Sequence, residues 1–353
     1  MTVPYHLSQT QKEQQLLVKL NNLTIWHINE CKEYKRMLEK SSIRYKARTL
    51  EEVPFLPVQL FKLMDLKSIL QEEVVRILTS SGTTGQAVSK IFLDNETSKT
   101  QTKTLVEVMK PILGGKRFPM IILDTKSVLK DRKSFSARGA GILGFSNFGR
   151  KHFYALHDDM SLDLEGLQEY LKEYEGKRIL LFGFTFMIWQ YFYKVIRDKG
   201  LSLDFGDSIL IHGGGWKKLK DVEVDALTFN RLLKEQLGIR IVHNYYGMVE
   251  QVGSIFVECS KGNLHAPSHA DVIIRNPLTF EVLPVGEQGV IQVVSELPKS
   301  YPGHSLLTED LGTIHGIDDC QCGWKGKYFS VTGRIPKAEL RGCSDTFQNG
   351  VRS

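Results

Sequence analysis

Between residues 91 and 243, short apolar runs with strand character alternate with longer amphipathic stretches of helical period. Strand candidates fall at 91–93, 120–123, 178–182, 208–212 and 239–243, and helical candidates at 97–109, expected to stop before Pro111, and at 223–236. Each return to a neighbouring strand then needs a crossover, so the pattern predicts a largely parallel sheet with helices on its faces and a ligand crevice at the strand C-termini. Residues 11–40 read as one or two helices packed on this body, and strand-prone runs at 74–78 and 91–93 flank a Ser/Thr/Gly turn.

From about residue 255 the texture changes to short strands at 270–274, 289–294 and 312–315, separated by Gly, Pro and Asn turns. The expected organisation is an N-terminal helical and α/β core over 1–254, followed by a smaller strand-rich C-terminal subdomain over 255–353. No repeat or low-complexity tract interrupts it.

Charge and composition exclude several functions. Apolar residues make up 42% of the 353-residue chain, charged residues 24%, and the formal charge is +6, which sets aside disordered and collagenous classes. The basic excess lies before residue 251; it suits an anionic ligand such as ATP but lacks the dense stripe of a nucleic-acid binder. Lys126, Lys130, Arg132, Lys133, Arg138, Arg150 and Lys151 read as a basic loop facing phosphates, a partner or solvent. The longest nearly apolar stretch, 179–189, falls short of the ~20 residues a membrane span needs, and the N-terminus lacks a signal-peptide core. A cytoplasmic protein without a transmembrane segment is the expectation.

Five cysteines, Cys31, Cys259, Cys320, Cys322 and Cys343, are too few for a disulfide scaffold in a chain this long, so the late ones read as ligands or nucleophiles. Cys259, His265, Cys320 and Cys322 supply enough ligands for a tetrahedral structural zinc if their two segments meet in space; ordinary turn packing is the alternative.

Thr79-Ser80-Ser81-Gly82-Thr83-Thr84-Gly85 combines hydroxyls with two glycines, letting backbone amides converge on an anion. It lacks the Gly-Lys-Ser/Thr ending of a Walker A loop and the glycine spacing of a dinucleotide fingerprint. Followed by Lys90, it resembles the phosphate loop of the acyl-adenylate-forming enzymes, which include acyl-CoA synthetases and phenylacetate-CoA ligase. Three later segments match that superfamily in order: Tyr245-Tyr246-Gly247-Met248-Val249-Glu250, Thr308-Glu309-Asp310-Leu311-Gly312, and Gly333-Arg334 leading to Arg341-Gly342.

The resemblance implies an α/β large domain of layered sheets and helices that binds ATP and magnesium. Carried over residue by residue, Tyr246 and Gly247 border the adenine and the acyl carboxylate, Glu250 helps hold magnesium, Asp310 bonds the ribose hydroxyls and Arg334 approaches the ribose or phosphate. Chemically the types fit, since carboxylates accept from ribose or bind a hard cation and Arg offers a fork to oxyanions. Gly213 and Gly214, in the segment from His212 to Lys217, lie after a strand, where a flexible wall suits an adenine ring or an acyl channel. Lys217 and Lys218 face phosphate or solvent, and a late Cys-x-Cys-Gly recurs in phenylacetate-CoA ligase relatives.

Leu181-Phe182-Gly183-Phe184-Thr185-Phe186, the 212–217 segment and Glu339-Leu340-Arg341-Gly342-Cys343 are similar to the acyl-protein synthetase family of bacterial luminescence over nearly the whole chain. This narrower resemblance implies long-chain fatty acid activation, self-acylation at Cys343, and transfer to a fatty acid reductase partner, with an acyl-transferase subunit as a further partner. Ten residues follow Cys343, so no full counterpart of the mobile lid domain and catalytic lysine of general adenylating enzymes is expected. Arg341 is expected to lower the thiol pKa. Phe182, Phe184, Phe186, Met187, Ile188 and Trp189 read either as an acyl tunnel or as core. A ligase serving CoA, a carrier-protein thiol or a polysaccharide-pathway acceptor, and a non-catalytic nucleotide-binding scaffold, are the alternatives.

Overall fold

A computed structural model describes residues 3–41, 44–80, 87–130, 134–216 and 224–335. In chain order its strands are β1 Leu56–Pro57, β2 Arg76–Thr79, β3 Lys90–Leu93, β4 Phe118–Thr125, β5 Ser134–Ser136, β6 Gly149–Leu156, β7 Ile179–Phe184 and β8 Ser208–Gly213. They continue as β9 Ile241–Tyr246, β10 Phe256–Glu258, β11 Leu264–His265, β12 Ala270–Arg275, β13 Gln288–Ser295, β14 Ser305–Ile317 and β15 Lys327–Arg334.

One twelve-stranded sheet holds most of these. Its first half runs β6-β4-β7-β8-β9 with every pair parallel, as the strand-helix alternation predicts. Beyond β9 the order β10-β11-β15-β14-β13-β12 is antiparallel throughout, with β1 added beside β14. A separate three-stranded sheet, β3-β2-β5, carries the stem of the phosphate-loop segment.

The parallel strands read as apolar runs because both their faces are covered. Leu123, Leu181 and Leu210 pack with the helices Leu164–Glu173 and Ala226–Leu237 on one face, while Met120, Ile122 and Phe182 pack with Asn95–Leu113 and Ala137–Phe145 on the other. The helices start at side-chain caps: Asp94, Ser136, Asp163 and Asp225 each accept a backbone N–H from the first turn. Helix Asn95–Leu113 does not stop before Pro111 but runs through it to Gly114 at φ 64°. Proline in the last turn removes only the bond to the Glu107 carbonyl, a small loss next to the burial of Val108, Met109 and Leu113.

The expected basic loop is dispersed. Arg138 lies in a helix and pairs with buried Asp124 at 2.9 Å, Lys130 pairs with Asp158 at 3.0 Å, and Arg150 and Lys151 belong to β6. That strand was not legible because it is an edge: three consecutive residues, Arg150, Lys151 and His152, are exposed, and its charges guard an open ladder. Arg132 and Lys133 lie outside the described residues.

The predicted N-terminal helices are Gln9–Glu30 and Lys32–Ser41, and they cover the antiparallel half. Leu16 and Leu20 pack on Ile273 and Val294, and Ile28, Tyr34 and Leu38 join a second cluster with Val272 and Ile274. No described helix is long and apolar enough to cross a membrane.

Buried imidazoles, His27, His212 and His304 among them, make the fold acid-sensitive. Burial lowers His212 and His304 to about 3, and burial beside His304 holds His27 well below its usual value. Each binds its proton more weakly in the folded chain, so stability falls as pH drops through the unfolded value near ~6.5 and keeps falling toward the folded one. Between pH 7 and pH 5 the free energy of unfolding is expected to drop, by up to ~1.4 kcal/mol per pH unit for each group below that value, and the midpoint of urea unfolding to fall with it. A midpoint independent of pH over this range would refute neutral burial of the three.

Candidate functional site

Tyr246 ends β9, and its phenol donates to Asp310 Oδ2 at 2.7 Å, joining the parallel half to β14 across 64 residues of sequence. Asp310 and Arg334 sit directly opposite each other in the β14–β15 register, with Arg334 Nε 3.5 Å from Oδ1. Burial raises the Asp310 carboxyl, while the Tyr246 bond and the Arg334 charge draw it back down. The phenol is held well above its ordinary value by burial and by Asp310, so it remains a donor.

Glu250 lies five residues beyond Tyr245, in the 3-10 turn Val249–Gln251, and is 6% exposed. Burial raises its carboxyl, and the Ser89 hydroxyl and the charges of Lys62 and Arg334 pull the other way. Gln251 fixes the turn by donating to the carbonyls of Gly303 at 2.8 Å and Val293 at 3.3 Å. Any Cβ at Gly303 would lie 2.8 Å from the Glu250 carbonyl, so only glycine allows this approach.

On the opposite face of β9, Tyr245 packs against Phe145 and Phe182. A Cβ at Gly213 would meet its ring at 2.5 Å, one at Gly141 would lie 3.6 Å from its hydroxyl, and Gly214 (φ 74°) backs onto Phe184. Thr185 Oγ1 bonds His212 Nδ1 at 2.9 Å and donates to the Gly213 carbonyl at 3.2 Å, holding the glycine wall at the end of β8. A Cβ at Gly247 would touch Ile255 at 3.0 Å. The aromatic run does not form one wall: Ile188 and Trp189 pack on one face of the sheet and Phe182 on the other.

Thr79 closes β2, pairing with Lys90 on one side and Ser136 on the other. Ser80 N–H donates to the Ser89 carbonyl at 3.1 Å and Ser80 Oγ accepts from Ser89 N–H at 2.9 Å, so the two serines clamp the loop stem. Lys90 pairs with Asp65 at 3.4 Å. Ser81, Gly82, Thr83, Thr84 and Gly85 lie outside the described residues, as do Lys217, Lys218, and the segment holding Glu339, Arg341 and Cys343.

A second constellation forms below β11. The ligating atoms of Cys259, His265, Cys320 and Cys322 all lie within 4.8 Å of one another. Cys259 Sγ is 4.0 Å from Cys320 Sγ, and Cys322 Sγ is 3.4 Å from His265 Nε2. Backbone N–H groups of Lys261 and Trp324 donate to the Cys259 and Cys322 sulfurs at 3.4 and 3.3 Å, an arrangement that suits thiolates. Burial lowers His265 to about 4, keeping its imidazole neutral.

Tyr245 and Thr185 stand in the matched segments but carried no role from sequence, and Gly141 and Ser89 were not singled out at all. Only Tyr245 had an available signal, since neighbours on a strand point to opposite faces and Tyr245 must therefore serve a different surface from Tyr246.

The sequence model of acyl-protein synthetase, LuxE, matches residues 1–351. The chain belongs to this family. It is therefore an enzyme of ATP-dependent acyl ligation with the α/β architecture of adenylate-forming ligases. A long-chain-fatty-acid–luciferin-component ligase of Vibrio harveyi is 22% identical over 351 residues, covering 95% of this chain and 88% of its own. The corresponding ligase of Aliivibrio fischeri is 22% identical over 345 residues, 93% and 86% of the two chains.

Two structures of 2-hydroxyisobutyryl-CoA ligase share the fold. The open conformation, in complex with 2-HIB-AMP and CoA, has a TM-score of 0.71 at 15% identity, covering 94% of this chain and 77% of that one. The postadenylation state, in complex with 2-HIB-AMP, has a TM-score of 0.73 at 15% identity, covering 94% and 69%.

Gly213→Ala is expected to push the Tyr245 ring out of its packing and destabilise the protein by about 1–3 kcal/mol. Thermal unfolding of the variant measures this, and a melting temperature equal to the wild type's would contradict the close contact.

Proposed function

We propose that this acyl-protein synthetase activates a long-chain fatty acid as its adenylate and passes the acyl group to a thiol, its own Cys343, for delivery to a reductase partner. The observation that carries the reading is the meeting of Tyr246, Asp310 and Arg334 at the end of β9, within a chain matched to the family from residue 1 to 351. Both named bacterial relatives are ligases of long-chain fatty acids, which supports the substrate class.

In the first half-reaction a carboxylate oxygen of the acid attacks the α-phosphorus of ATP and pyrophosphate leaves. Asp310 takes the ribose, the glycines at 213 and 214 border the base or acyl group, and Arg334 approaches the phosphate side. The loop Thr79–Gly85, anchored by the Ser80–Ser89 stem, supplies amides to the departing phosphates. Glu250 fits magnesium: a buried carboxyl whose ionised form is disfavoured by desolvation gains from a hard cation beside it. Bound there, the ion would neutralise charge on the phosphates. Gly141 and Gly214 let the Phe184 ring close against the backbone near the Tyr245 hydroxyl, an apolar wall beside which the acyl chain would enter.

In the second half-reaction the thiolate attacks the carbonyl carbon and AMP leaves, storing the acyl group as a thioester. The fatty-acid label is expected to stay on wild-type protein after denaturation and to vanish in Cys343→Ser while acid-dependent exchange of pyrophosphate into ATP continues. Label appearing instead on CoA or on a carrier-protein thiol favours the general ligase reading. No acid-dependent exchange at all leaves only a nucleotide-binding scaffold.

The four-ligand constellation fits a structural zinc: it is closed, tetrahedral in number, and supplied with N–H donors to sulfur. Protein purified without chelator is expected to carry about one zinc per chain. Cys320→Ser should lose it and unfold at lower temperature; a folded, metal-free wild type rules the centre out.

A further inference from the structure

We propose that Tyr246 is a positioning residue for ribose recognition: its phenol locks the Asp310 carboxylate so that the second oxygen is presented to the nucleotide's hydroxyls. The inference rests on the reading that ATP binds at the end of β9, and it gives Tyr246 a task beyond bordering the base.

The terminal torsion of an aspartate is broad and roughly two-fold, so a carboxylate facing solvent does not hold its plane unless a donor fixes one oxygen. Asp310 is 20% exposed, and its own strand does not supply that donor: the Asp310 N–H donates to Thr308 Oγ1 at 3.1 Å and leaves the carboxylate uninvolved. Tyr246 does supply it, at 2.7 Å to Oδ2.

The other oxygen meets only the Arg334 guanidinium among the described residues, at 3.5 Å, from a side chain 71% exposed. A contact so long and so solvated yields readily to a ligand hydroxyl. The phenol is restrained from following Asp310 if the latter turns, because the Tyr246 ring packs against the Phe256–Phe329 pair at centroid distances of 6.1 and 6.3 Å. One oxygen is thus held by a rigid donor and the other is left for a substrate that brings its own donors, as vicinal hydroxyls do.

Discrimination between ATP and 3′-deoxy-ATP tests this, read as the ratio of kcat/KM in acid-dependent pyrophosphate exchange. Tyr246→Phe retains the ring packing against Phe256 and Phe329 and removes only the donor. The wild type is expected to penalise the missing hydroxyl, and Tyr246→Phe to shrink that penalty by roughly tenfold. Asp310→Asn should reach the same floor, with Tyr246→Phe changing the ratio no further in that background. An undiminished ratio in Tyr246→Phe, or losses from the two substitutions that simply add, would overturn the proposal. A wild type without acid-dependent exchange would instead remove the functional reading on which it stands.

Discussion

Consecutive side chains leave a β-strand on opposite faces, and at the end of β9 this places two tyrosines in two different environments. Tyr245 goes to the layer of Phe145 and Phe182, while Tyr246 goes to Phe256, Phe329 and Asp310. A slip of one residue in the β8–β9 register would turn every β9 side chain to the other face and take Tyr245 away from the contact that Gly213 makes possible. The glycine wall, the carboxylate and the turn carrying Glu250 all take their positions from this one register.

The antiparallel half is held just as firmly, by buried charge. Asp271 is fully buried and takes Lys12 Nζ at 3.2 Å, Lys327 Nζ at 3.4 Å and Gln9 Nε2 at 2.6 Å. Removing one member of such a group strands the others in a low-dielectric interior, a cost of about 3–5 kcal/mol. Beside it, Asp318 accepts from the Gln9 and Gly326 N–H groups, and Tyr5 stacks on Trp324 at 4.0 Å. The N-terminal segment is therefore bound to the same loops that bring Cys320 and Cys322 to Cys259 and His265. The chain's two ends of the fold close on one another around that constellation.

The strand-helix alternation was legible because buried parallel strands are apolar on both faces and their connections must be long. Strand β6 was not legible, since an edge strand carries charges and loses its apolar signature. Pro111 misled in the other direction: a proline in a last turn costs little when three neighbouring apolar side chains are buried. The aromatic run at 182–189 illustrates a further limit, because composition marks residues as apolar without saying which face of a sheet they join.

Taken alone, the order of residues determined the α/β class, the family motifs and the chemical types available for catalysis: hydroxyls, glycines, carboxylates, an arginine and four soft ligands. These are properties of local pattern and composition. Which groups meet was decided by tertiary structure. Tyr246 and Asp310 are 64 residues apart, and Cys259 and Cys320 are 61 apart, yet each pair lies within contact distance. No spacing rule reaches that far, because the sheet brings such pairs together only after every intervening strand has found its register.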